Sequence, residues 1–154
     1  MTVAVRMAFP SESTKLTQLA TRAKAFWGYS EAQVAAWQSD LTISKDSIMR
    51  HWTAVADVAG EAIGVIQIEV AGQAAELSHL WVAPEFMRKG VGRTLLEAGL
   101  DRLRSLSLNT LKIDSDPHAL PFYLSCGARV VGNLPAPIDR DEHRVRPQLV
   151  IRLN

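Results

Sequence analysis

Apolar residues recur at three- and four-residue steps along SESTKLTQLATRAKAFWGYS: Leu16, Leu19, Ala20, Ala23 and Phe26 or Trp27. That spacing predicts a helix, capped by Ser11 or Ser13 and ended by Gly28. A second helix is expected over SEAQVAAWQSDL, with Ser30 as N-cap and Gln33 at the third helical position, and ISKDSIMRH adds a helical turn. The period then changes. TVAVRM at the start, WTAVADV, AIGVIQIEV and AELSHLWV read as strands, separated by the turn signals Ala59-Gly60-Glu61 and AGQA. Pro84 stops regular pairing. A helical stripe of Leu96, Gly99, Leu100, Leu103 and Leu106 follows. Further on come a strand TLKIDS, a short helix HALPFYLSCG, a strand ARVVGN, a polar loop LPAPIDRDEHRVRP and a closing strand QLVIRL. Hairpin-like strands precede a strand–helix–strand unit, so the expected class is α/β (α+β mixed), with a mixed central β-sheet flanked by helices on both faces.

Length and composition narrow this further. A chain of 154 residues predicts one domain spanning 1–154, able to bury a core without disulfides or metals. A formal charge of +1 argues against a broad nucleic-acid-binding face. No apolar run approaches about 18 residues, so no membrane span is expected. The opening MTVAVRMAFP lacks an apolar core and a small-residue cleavage site. The single cysteine, Cys126, excludes an internal disulfide and suits a reducing compartment. A cytoplasmic location is the expectation. His51, His79, His118 and His143 show no metal-ligand spacing, so no metal is expected.

The stretch MRKGVGRTLLEAGLDRL places two glycines and three basic residues where a helix begins. A dinucleotide fingerprint requires a third glycine, but Leu95 stands there; a triphosphate loop requires glycine at position 87 and lysine at 93, but Met87 and Arg93 stand there. What remains is a strand, a glycine turn and a helix. The first N–H groups of a helix lack intrahelical acceptors and carry the positive end of the helix dipole. Gly90 and Gly92 leave these groups open to a phosphate, and Arg88, Lys89 and Arg93 add charge. A tight turn with a solvated basic rim is the competing explanation.

The run HLWVAPEFMRKGVGRTLLEAGLDRL, followed by DPHALPFYLSCGARVVG, resembles the GCN5-related N-acetyltransferase (GNAT) family over about a third of the chain, from His79 to Gly132. The resemblance implies a single GNAT-like domain and acetyl-CoA as co-substrate. Backbone groups of Leu80, Trp81 and Val82 would hold the pantetheine arm, and Arg88, Lys89, Gly90, Val91, Gly92 and Arg93 the pyrophosphate. Tyr123 matches the tyrosine that protonates the departing thiolate. Asp116 falls where relatives often place an asparagine against the cofactor, and Met87 where they place a polar residue. The implied partners are acetyl-CoA and an amine acceptor, with no nucleic acid and no membrane, and a homodimer is the family's frequent assembly.

Acyl transfer needs a neutral amine, and a lysine-like amine has a pKa of about 10.4, so a base or a water chain leading to one must take a proton. Glu76 and Asp114 are the candidate bases, with Glu69 as a further carboxylate. Alternation places Glu76, Ser78, Leu80 and Val82 on one strand face and Leu77, His79 and Trp81 on the other. The expected activity is acetyl transfer to a primary amine of a small molecule or peptide by direct attack in a ternary complex. The alternative is a non-catalytic acyl-CoA-binding module, which Met87 and Asp116 motivate.

Overall fold

The computed structural model describes residues 2–153. Seven strands are β1 (Ala4–Met7), β2 (Trp52–Val58), β3 (Glu61–Ala71), β4 (Ala74–Val82), β5 (Thr110–Asp114), β6 (Arg129–Pro135) and β7 (Val145–Arg152). Six helices are α1 (Ser13–Ala25), α2 (Glu31–Ala36), α3 (Gln38–Leu41), α4 (Lys45–Arg50), α5 (Val91–Ser105) and α6 (Leu120–Ser125). The strands hydrogen-bond in the order β1-β2-β3-β4-β5-β7-β6. The β4–β5 pair is parallel, while β1–β2, β2–β3, β5–β7 and β7–β6 are antiparallel, so the sheet is mixed as expected. The chain forms two compact units, Met1–Glu69 with Ser78–Gly99, and Val70–Leu77 with Leu100–Asn154.

In the first unit both faces of β3 are covered. Leu16, Leu19 and Ala20 of α1 form one core cluster with Ile43, Ile48, Val55 and Val65, and Trp81 packs against it. The opposite face meets α5. A Cβ on Gly99 would lie 2.8 Å from Ile68 Cδ1 and 3.0 Å from Ile66 Cδ1, and one on Gly64 would lie 2.9 Å from Leu95 Cδ1. The two glycines let helix and strand approach closely, and Leu95 and Leu96 are fully buried there. Burial on both faces explains why β3 reads as a continuous apolar run instead of an alternating one.

The entry to α1 differs from expectation. Neither Ser11 nor Ser13 caps it; a 3-10 turn, Pro10–Glu12, precedes it, and the Glu12 carboxylate accepts the Phe9 N–H at 2.8 Å. Arg6 holds that carboxylate with two contacts of 2.9 Å and reaches Asp57 at 2.8 Å. The guanidinium thereby depresses the pKa of Glu12 and of Asp57. Ser13 instead donates to Ile43 O at 2.7 Å. The second predicted helix forms with its Ser30 cap, 3.1 Å from Gln33 N, but breaks at Trp37 into α2 and α3.

In the second unit, β5 and β7 alternate. Leu111, Ile113, Leu149 and Ile151 are buried, while Lys112, Asp114 and Arg152 are exposed. Two expectations fail here. Leu106 lies beyond the end of α5 and is 42% exposed, because the chain turns at Ser107, where φ is +60°. The polar loop is shorter than its composition suggests, since Leu134 and Pro135 extend β6 and Val145–Pro147 open β7.

Candidate active site

The cradle in the first unit is one continuous piece of chain. Leu80, Trp81 and Val82 end β4, half-buried, and Ala83 still donates to Ile63 O at 2.9 Å. Pro84 then starts a 3-10 turn to Phe86, and Met87 closes it, its N–H 3.2 Å from Pro84 O. The backbone turns at Arg88, φ +62°, and at Gly90, φ +83°. Helix α5 begins at Val91, and its first hydrogen bond runs from Thr94 N to Gly90 O at 3.0 Å. A Cβ at Gly90 would meet nothing within 4 Å, so this position faces open space. Arg88, Lys89 and Arg93 are all exposed, and the Lys89 ammonium lies 5.7 Å from the Phe86 ring. The result is a helix N-terminus rimmed by positive side chains, with its approach kept clear of side chains at Gly90.

Trp81 has a second contact that its place in the sequence motif does not imply. Its indole N–H donates to His79 Nδ1 at 2.9 Å. His79 is buried, and the burial pushes its pKa down to about 4, against the opposing pull of Glu69 and Asp40. The His–x–Trp spacing on a strand, which puts both side chains on one face, is the signal that could have found this pair.

The other predicted residues belong to the second unit. Glu76 is exposed and lies opposite Lys112 in the β4–β5 register. Asp114 is half-exposed, 3.3 Å from Arg146 Nε and 3.0 Å from Gln148 Nε2. Asp116 is almost wholly buried. Its Oδ1 accepts the His118 N–H at 2.7 Å and lies 2.9 Å from His118 Nδ1, capping the 3-10 turn Pro117–Ala119. Its Oδ2 is 3.5 Å from Arg144 Nη2, and side-chain exposures are 5% for Arg144 and 8% for Asp116. Arg144 also donates to Ala136 O at 3.1 Å. Arg144 belongs to the segment whose composition reads as a polar loop, and its partner lies 28 positions away, beyond any local pattern.

Tyr123 sits on α6, its ring against Phe122 with centroids 5.2 Å apart. Burial raises its pKa well above the ordinary phenol value, assisted by Cys126 and Asp116. Its hydroxyl donates to no described residue, which leaves a protonated phenol available as a donor.

A family model described as an acetyltransferase (GNAT) domain matches residues 13–134. The chain belongs to the GNAT acetyltransferase family. As a GNAT protein it is an acyltransferase, and its fold recurs in solved structures. PaiA N-acetyltransferase from Thermoplasma acidophilum, in complex with coenzyme A, matches with TM-score 0.82 and 19% identity over 99% of each chain. The ribosomal-protein-S18-alanine N-acetyltransferase from Escherichia coli matches with TM-score 0.76 and 20% identity, over 99% of this chain and 95% of that one. Ard1 from Thermoplasma volcanium gives TM-score 0.73 and 18% identity over 100% of this chain and 99% of that one. Identities this low establish a shared fold. No curated protein matches the GNAT chain in sequence.

Among the described residues, no group of three or more His, Cys, Asp or Glu side chains is placed to hold a metal ion. Among the described residues, no helix is long and apolar enough to cross a membrane. What this acetyltransferase does present is a backbone-built anion cradle, a buried tyrosine and scattered carboxylates.

Proposed function

We propose that this GNAT acetyltransferase moves an acetyl group from acetyl-CoA to a primary amine of a small molecule or peptide by direct attack in a ternary complex. The observation that carries this reading is Gly90, whose positive φ and open surroundings sit immediately before α5, past the 3-10 turn that follows β4. A side chain there would be strained and would intrude on the approach to the helix N-terminus. The cradle suits a pyrophosphate because the first-turn N–H groups, Val91 and Gly92 among them, lack helical acceptors, and Arg88, Lys89 and Arg93 oppose the charge. Backbone groups of Leu80, Trp81 and Val82 would hold the pantetheine arm, which is linear and amide-bearing and pairs well with a strand end.

Chemistry then needs three services from the chain. A backbone N–H at the end of β4 stabilises the oxygen on which negative charge develops. Glu76 or Asp114 accepts the amine proton through water. As the carbon–sulfur bond breaks, Tyr123, protonated at neutral pH, gives its proton to the departing thiolate. Asp116 is assigned an indirect part: its carboxylate is occupied by the turn before α6 and by Arg144, so it positions the Tyr123 helix.

The test is CoA release from acetyl-CoA by the purified protein against a broad panel of amines and peptides. Amine-dependent release supports the reading; release with none of them overturns it. If acetyl-CoA raises thermal stability while no amine is acetylated, the chain is an acyl-CoA-binding module.

A further inference from the structure

The buried polar side chains of the first unit divide into matched and unmatched ones. Gln67 Nε2 donates to Thr53 Oγ1 at 3.1 Å and to Ser47 Oγ at 3.2 Å, so that group satisfies itself. His79 does not. It is 9% exposed, and its Nδ1 accepts the Trp81 indole N–H at 2.9 Å. An indole nitrogen only donates, so Nδ1 is the bare nitrogen, and the neutral ring carries its proton on Nε2. That Nε2–H has no acceptor among the described residues. That nitrogen is not fully enclosed, so an oxygen arriving from outside the chain can reach it and accept its proton.

The charges acting on the His79 ring are both carboxylates, Glu69 and Asp40. Glu69 Oε1 in turn lies 2.9 Å from His51 Nε2. A field of that sign favours a cationic amine and opposes an anionic one. The donor, however, asks for an oxygen lone pair, which a bare alkyl polyamine cannot offer.

We propose that the Nε2–H of His79 recognises a neutral oxygen on the amine acceptor, a carbonyl or hydroxyl, with Trp81 fixing the tautomer that makes it a donor. This rests on the amine-acetylation reading above and sharpens its acceptor to amino amides, peptide amino termini or amino alcohols. His79 is then a specificity residue and not a base, because its lone pair is committed to Trp81.

The test compares kcat/KM for two isosteric pairs, glycinamide against isobutylamine and ethanolamine against propylamine. With rates referred to the neutral form of each amine, the wild-type protein favours the oxygen-bearing member by about tenfold, the worth of one hydrogen bond. His79→Phe abolishes that preference by lowering only the oxygen-bearing substrate, and His79→Gln, which retains an N–H donor, keeps part of it. Trp81→Phe weakens the preference by releasing the ring. Each variant is first shown to keep the wild-type thermal shift with CoA; if His79→Phe does not fold, His79→Gln and Trp81→Phe carry the test. Equal loss on both members of a pair, or an unchanged preference, overturns the assignment while leaving amine acetylation standing. Transfer to no amine in the panel overturns both.

Discussion

The cradle in the first unit and the Asp116–Arg144–Tyr123 region of the second are built on opposite principles. The cradle is made of backbone: a strand end, a proline-started turn, a glycine with positive φ and a helix N-terminus. Its charged side chains are exposed. The second region is made of side chains, with one buried carboxylate shared between a turn it caps and a guanidinium from a distant loop. A backbone site tolerates side-chain change and fails only where backbone conformation is at stake. A side-chain site fails when any one partner is removed.

Arg144→Met should therefore have the largest effect on stability. It leaves the Asp116 charge buried without its guanidinium and is expected to cost about 3 kcal/mol. Urea unfolding would measure it; a loss below 1 kcal/mol, of the size of a surface pair, would erase the contrast. Asp116→Asn keeps the cap oxygen and should cost less.

For His79, a titratable side chain of the first unit, burial is decisive. Its unfolded-state pKa of about 6.5 falls to about 4 in the fold. As pH drops from 6.5 to 4 the unfolded chain takes up a proton that the folded one refuses, so stability falls across that window. The contribution is about 3 kcal/mol at its limit. Unfolding free energies of wild type and His79→Gln, followed over this range, should diverge above pH 4, with the variant flatter. Parallel curves would mean that the ring is not held neutral.

Tyr123→Phe comes next, lowering kcat by about a hundredfold with acetyl-CoA affinity unchanged. Equal kcat would remove the phenol from the mechanism. The smallest changes belong to the cradle. Gly90→Ala is expected to cost about 1 kcal/mol in backbone strain at its φ of +83°, and to weaken acetyl-CoA binding several-fold by calorimetry. Lys89→Ala should do less, and its effect should vanish at high salt. If Lys89 outweighed Gly90, the cradle would be a side-chain site after all.

The same contrast governs how much the sequence reveals. The cradle is legible because its punctuation is local: Pro84, Gly90 and Gly92 lie within nine consecutive residues, 84–92. The helices and strands follow their periodicities for the same reason, and Ser30 caps its helix as expected. Readings that miss involve distant partners. Arg6 reaches across from β1 to make Glu12 the organising residue ahead of α1, where local pattern favours Ser11 or Ser13. Arg144 sits in a proline- and charge-rich segment that reads as solvated, yet it is buried against Asp116. Leu106 continues the stripe of α5 in register, but the left-handed turn at Ser107 takes it out of the core. The His79–Trp81 bond needed only a strand and a two-residue spacing, so it was within reach.

The most direct measurement is amine-dependent CoA release from acetyl-CoA, made with the wild-type protein and with Tyr123→Phe side by side. Release that rises with amine concentration, and drops about a hundredfold in the variant while acetyl-CoA still binds, is the expected result. Acetyl-CoA binding with no release to any amine would contradict it.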